Sequence, residues 1–168
     1  MNRQKKYPGI DDVILFKIAG SWKTKSGGDL YVLFSLSHAQ VLQSFLSYDQ
    51  VELKKLSVDI RGLRGYKVSN LKKGAVGGLE FHRLRKELLF AVQGSIRLKL
   101  TDVYLQTKTV VLSNNSIGVY IPPFVVHSYE VLEDNTSLMG IANTLYFPDD
   151  KDTYDTYSEK ELCEIKDI

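Results

Sequence analysis

The spacing of apolar positions divides the chain into two unlike parts. Residues 1–12 are polar and close with Pro8-Gly9, after which Val13-Ile14-Leu15-Phe16-Lys17-Ile18 predicts a strand stopped by Gly20. The turn cluster Ser26-Gly27-Gly28-Asp29 leads into Leu30-Tyr31-Val32-Leu33-Phe34, a second strand rich in residues that suit a pleated sheet. At Ser37 the period changes. Val41, Leu42, Phe45 and Leu46 share one face of a helix, which starts near Ser37 or Ser44.

From Leu63 onward short apolar-alternating runs recur, separated by Gly, Asn, Asp or Ser every 8–12 residues or so, the spacing of an antiparallel sandwich or barrel. The predicted runs are 66–69, 88–92, 95–100, 103–107, 109–112, 118–121, 127–132 and 137–143. Alternation is sharpest in Ile96-Arg97-Leu98-Lys99-Leu100, where apolar and cationic side chains must point to opposite faces. After Pro148 the chain is acidic and tyrosine-rich, with a short helix expected over 158–165.

Composition narrows the function classes. A length of 168 residues with 43% apolar and 25% charged positions describes one globular domain, 1–168, and excludes wholesale disorder. The formal net charge is +2, with no dense basic block beyond Lys5-Lys6 and Lys72-Lys73, so nucleic acid is not an expected partner. A single cysteine, Cys163, permits neither an intramolecular disulfide nor a thiolate zinc site and fits a reducing, cytoplasmic setting. The longest uncharged run, 30–48, carries too many Ser, Gln and His residues to span a bilayer. The early apolar stretch is broken by Lys17 and has no cleavage site after it, so neither membrane anchor nor signal peptide is expected.

Candidate chemistry gathers around two of the three histidines. In Gly77-Gly78-Leu79-Glu80-Phe81-His82, residues Glu80 and His82 are two apart and project to one face of a strand, and Glu87 arrives from the next strand. In Gly118-Val119-Tyr120-Ile121-Pro122-Pro123-Phe124-Val125-Val126-His127 a double proline stiffens the corner that aims His127. Simpler roles stand beside these: Glu80 as a rim salt bridge to Arg83 or Arg97, Glu87 as a solvated or paired charge beside Arg85 and Lys86, Tyr120 and Phe124 as wall packing, and His38 as a surface residue. The glycine-rich stretch 72–78 lacks the order of a phosphate-binding loop, and there is no G-x-S-x-G elbow.

These two stretches resemble the paired motifs of the cupin superfamily. More narrowly, residues 66–162 resemble the WxcM/FdtA-like sugar-nucleotide 3,4-ketoisomerases, relatives of the deoxysugar 3,5-epimerases, and Gly27-Gly28-Asp29-Leu30 corresponds to their early R-G-x-L. The resemblance implies an all-β cupin-type jelly-roll barrel carried by about residues 63–147, a short helical insertion at about 35–62 and a C-terminal tail. It implies a homodimer without cofactor or metal, acting on a thymidine-diphosphate 4-keto-6-deoxyhexose for surface polysaccharide biosynthesis by removing the proton beside the ketone. Where the family reads R-G-x-H-A-H this chain has Gly77-Gly78-Leu79-Glu80-Phe81-His82, and the family's following glutamine is Glu87. One motif histidine and the diphosphate arginine are thus replaced. Carried over position by position, the catalytic candidates are His82, Glu80 and Tyr66, and the substrate-binding candidates are His127, Arg83, Arg97 and Tyr129, with Arg85 a further possible phosphate contact. Two other readings stay open: a non-catalytic sugar-nucleotide-binding cupin, and a metal-dependent cupin enzyme with Glu80, His82, Glu87 and His127 as ligands.

Overall fold

A computed structural model describes residues 6–150 and 153–165; the start of the polar N-terminus, with Lys5, and the last three residues of the acidic tail lie outside the described residues. Strands β1 (Ile14–Lys17), β2 (Gly20–Lys23) and β3 (Asp29–Val32) precede helices α1 (Ala39–Leu46) and α2 (Gln50–Leu53). Eight strands follow: β4 (Arg61–Leu71), β5 (Val76–Phe81), β6 (Glu87–Gln93), β7 (Ser95–Asp102), β8 (Thr107–Ser113), β9 (Ile117–Ile121), β10 (Val125–Val131) and β11 (Thr136–Thr144). The tail adds β12 (Tyr157–Ser158) and α3 (Glu159–Ile165). The strands pair into two five-stranded sheets, β1-β9-β6-β11-β4 and β12-β5-β10-β7-β8, while β2 and β3 form a separate hairpin. The two large sheets are separate hydrogen-bonded walls, not one closed ladder.

Leu89, Ala91, Val119, Ile121 and Leu138 of the first sheet meet Ile96, Leu98, Leu100, Leu112 and Val131 of the second in the main core. The alternation over 96–100 holds, with Arg97 and Lys99 exposed between buried leucines. In β6 five successive residues are buried, because its outer face lies under α1: Val41 and Phe45 pack on Leu88, Phe90 and Phe16. A strand covered on both faces reads as a continuous apolar run. Asn143 fixes this helix to the sheet, its carbonyl oxygen accepting from Lys86 N (2.8 Å) and its amide donating to Phe45 O (2.9 Å).

Several predicted boundaries differ from the structure. Residues 103–106 form a turn, because the buried Asp102 carboxylate accepts from the backbone N–H of both Tyr104 and Gln106 (2.9 Å each), which bends the chain out of a ladder. Gly20 begins a strand instead of ending one; Gly-Ser-Trp-Lys buries no face, so no period announced it. The predicted helix near Ser37 starts at Ala39 after a 3-10 turn, and the tail helix falls where expected. Among the described residues no helix is long and apolar enough to cross a membrane.

Phe45 is 2% exposed and Leu36 88%. Phe45→Ala is expected to cost about 3–5 kcal/mol of unfolding free energy, whereas Leu36→Ala leaves the denaturant midpoint unchanged; equal midpoints for the two variants would contradict this packing.

Candidate active site

Strand register brings the polar groups between the sheets. Arg64, Ala142 and Glu87 lie in one row across β4, β11 and β6, and Tyr66, Gly140 and Leu89 in the next, so Arg64, Tyr66 and Glu87 share the face of the core residue Leu89. On the facing sheet, His127 pairs with Glu80 and Leu100, and Tyr129 with Gly77 and Leu98. A bulge opposite His127 and Ser128 accommodates one extra residue in β5, with Gly78 and Leu79 at φ 79° and 70°. The bulge lets Glu80 and Gly77 both oppose inward-facing residues of β10.

His82 follows β5, and its position is set by two other parts of the chain. Its carbonyl accepts from Phe124 N (2.7 Å), at the corner after the double proline. Its ring Nδ1 donates to the carbonyl of Asp155 (2.6 Å), which leaves Nε2 as the acceptor of the neutral imidazole, where it takes a long hydrogen bond from Arg85 Nη1 (3.4 Å). The Asp155 carboxylate accepts from the N–H groups of Arg83, Leu84 and Arg85 at 2.9, 2.9 and 2.6 Å, so the tail holds the whole β5–β6 connection. His127 likewise uses Nδ1 to donate to Val125 O (3.2 Å) and turns Nε2 inward; the two imidazole centroids are 5.2 Å apart.

Glu87 lies among these groups. It is 4% exposed, with carboxylate oxygens 3.8 Å from His82 Nε2, 3.6 Å from His127 Nε2 and 3.8 Å from Arg85 Nη1, and it also accepts a hydrogen bond from Tyr66. Burial, the Arg85 guanidinium and His127 together hold the His82 pKa well below the ordinary histidine value, so the ring is neutral at neutral pH. Burial and the Glu87 charge push the Tyr66 phenol upward, and it keeps its proton. Tyr129 is raised by burial and then by Glu80. The site therefore offers an unprotonated imidazole, a protonated phenol and two cations, Arg64 and Arg85, around a shared carboxylate.

Of the residues singled out in the sequence, Glu80, His82, Tyr66, His127 and Tyr129 reach this site. Arg83 and Arg97 do not. Arg83 points to the outside, with Nε 3.2 Å from Glu52 and its guanidinium over the Tyr157 ring, where it lines two surface grooves of about 500 and 470 Å³. Arg97 sits on the outer face, paired with Glu130. Glu87, which its neighbours Arg85 and Lys86 make look solvated, is buried as a paired charge. Arg64 escaped the sequence reading; its two-residue spacing from Tyr66 on a strand was the available signal. Its guanidinium lies over Tyr146, and burial and Arg85 lower its pKa.

The altered first motif has a physical counterpart. A Cβ on Gly77 would come within 2.4 Å of the Tyr129 ring, so Tyr129 occupies the space that a side chain at position 77 would need. Donor atoms of Glu80, His82 and His127 lie within 4.8 Å of one another, a set whose chemistry suits a first-row transition ion. Arg85 Nη1, however, stands 3.4 Å from His82 Nε2 and places a fixed cation against the nitrogen a metal would take. The arrangement fits proton transfer better than metal ligation.

Comparison with known proteins agrees with this architecture. No curated protein matches the chain. Among solved structures, the sugar 3,4-ketoisomerase QdtA from Thermoanaerobacterium thermosaccharolyticum, in complex with TDP, is 18% identical, with TM-score 0.64 over 93% of this chain and 95% of its own. The TDP-quinovose 3,4-ketoisomerase WlaRB from Campylobacter jejuni is 15% identical, with TM-score 0.64 over 92% and 99%. The dTDP-4-dehydrorhamnose 3,5-epimerase from Bacillus anthracis, with TDP and PPi bound, is 17% identical, with TM-score 0.64 over 90% and 83%. These likenesses establish the cupin-type jelly-roll fold. Residues 36–161 match the family described as FdtA: WxcM-like, C-terminal, and with its paired-histidine site between the two sheets, this chain belongs to that family.

Proposed function

We propose that the protein is an isomerase or epimerase of a thymidine-diphosphate 4-keto-6-deoxyhexose, acting in deoxysugar biosynthesis by moving protons beside the ketone. The observation that carries this reading is the neutral His82, its Nδ1 fixed by Asp155 and its unprotonated Nε2 turned toward Arg85, Glu87 and His127. Family membership supports it, as does a QdtA variant crystallised with TDP-4-keto-6-deoxyglucose.

In the ketoisomerase form, His82 Nε2 takes the proton from C3. The C–H electron pair becomes the C3–C4 double bond, and the carbonyl pair moves onto O4 to give an enediolate. Proton transfer from O3 to O4 and return of a proton to C4 leave a ketone at C3, so no oxidant or reductant is needed. Tyr66 keeps its proton and can donate it to an oxygen, while Glu80, within reach of both histidines, is the second proton carrier. His127 and Tyr129 shape the pocket.

In deuterated water the protein is expected to place deuterium at C3 or C4 of TDP-4-keto-6-deoxyglucose, followed by proton NMR, with a rate unaffected by chelator. His82→Asn should lower that rate by about 10²–10⁴, and Glu80→Gln should lower it by a smaller factor while nucleotide binding persists. Absence of exchange in the unmodified protein would favour the binding-protein reading, and exchange lost with chelator would favour the metal reading.

The pH dependence has a definite sign. Because the folded-state pKa of His82 lies well below 6.5, the acid limb of kcat/KM is expected below pH 6.5. The same shift means that the folded state binds fewer protons than the unfolded one. The stability linked to His82 is therefore complete above about pH 6.5 and lost as pH falls below it. Thermal melts from pH 7.5 to 5 should show this decline in the parent protein and a shallower one in His82→Asn; parallel curves would exclude His82 as its source.

A further inference from the structure

Arg85 is the group in the site whose presence the fold alone does not explain. Its side chain is 8% exposed, and burying a guanidinium is costly unless its donors are used. Nη2 donates to the carbonyl of Tyr154 (2.6 Å), and the backbone N–H is held by Asp155 (2.6 Å), so the side chain is anchored at both ends. Its other donors are not saturated. Nε is buried with no hydrogen-bond partner, and Nη1 gives only a long hydrogen bond of 3.4 Å to His82 Nε2. Glu87, its carboxylate neighbour, stands at 3.8 Å, beyond hydrogen-bond reach, and also accepts from Tyr66. Arg64 acts on the same carboxylate, and Glu80 is the second carboxylate of the site.

Such a guanidinium is a preorganised acceptor for negative charge that appears beside His82. When His82 takes a proton from carbon, the charge develops on the adjacent carbonyl oxygen, and donors fixed in a water-poor site stabilise it with little reorganisation. We propose that Arg85 is the oxyanion-stabilising residue of this site and binds the enediolate oxygen rather than the substrate's phosphates. The assignment rests on the enolisation reading above and deepens it. It also accounts for a cation being held against the base: in the resting state Arg85 adds to burial in keeping the His82 ring unprotonated, and during the reaction it faces the anion.

Arg85→Gln and Arg85→Lys separate this role from packing. Arg85→Gln should lower kcat for exchange by about 10²–10³, with TDP affinity and melting temperature close to the parent; Arg85→Lys should retain an intermediate rate. Millimolar guanidinium chloride should restore part of the exchange in Arg85→Ala, an effect that lost packing would not produce. The groups facing the His82 ring are Arg85 from its own connection, Glu80 from β5, Glu87 from β6, His127 from β10, Arg64 and Tyr66 from β4, and the Asp155 carbonyl from the tail. Loss of the Arg85 charge should therefore move the His82 titration up toward 6.5, read by NMR on histidine-labelled protein without substrate. TDP affinity weakened tenfold or more with kcat retained would overturn the proposal in favour of a phosphate contact. So would a kcat within threefold of the parent, or an unmoved His82 titration. If the parent protein shows no exchange, the enolisation reading fails by itself, while the histidine titration still reports whether Arg85 acts on His82.

Discussion

The site depends on the Asp155 peptide. Its carboxylate gathers three consecutive N–H groups of the β5–β6 connection, and its carbonyl fixes the His82 ring. Asp155 adopts φ 44°, a left-handed conformation that lets one residue turn both its carbonyl and its carboxylate toward the same loop. The tail that supplies it is tied down in turn, by pairing of β12 with the edge of β5 and by Leu162 and Ile165 packing on Phe81, Val103 and Phe124. A segment outside the two large sheets' core thus determines which imidazole nitrogen faces Glu87 and Arg85.

Around that fixed ring the sheets hold an unusually charged interior. Two arginines, two histidines, a tyrosine and Glu87 share a space that a jelly roll otherwise fills with leucine and valine, as it does toward Leu98 and Leu138. The low dielectric strengthens every interaction among these groups and makes each unpaired charge costly. Glu87 reduces the cost by accepting from Tyr66 and by standing 3.8 Å from the Arg85 guanidinium.

The departures from the family pattern belong to this same balance. Gly77 and Tyr129 form one unit, since the tyrosine ring fills the volume above the glycine. Tyr66 lies over Gly140 of the first sheet in the same manner, so two aromatic rings rest on two glycines, one in each sheet. Glu80 in place of a histidine adds a carboxylate near His82 and His127, and Arg85 brings a cation against the same ring. Substitutions that look like losses along the chain are parts of a rearranged charge set.

Local pattern was enough to read the all-β class, the alternation of β7 and the amphipathic α1, because side-chain direction in a strand or helix follows from neighbours a few residues away; the convergence of Glu80, His82 and His127 was legible only through the resemblance of the two motif stretches to a family. The turn at 103–106 was hidden because a single buried carboxylate, Asp102, overrides the apolar run beside it. The burial of Glu87, the placement of Arg85 and the exclusion of Arg83 and Arg97 from the site were set by contacts across the fold. His82 meets Asp155 across 73 positions of sequence, and Lys86 meets Asn143 across 57. A run of charged residues such as Arg83-Leu84-Arg85-Lys86-Glu87 carries no mark of which members face water. That depends on where the sheets, α1 and the returning tail leave room and supply a partner.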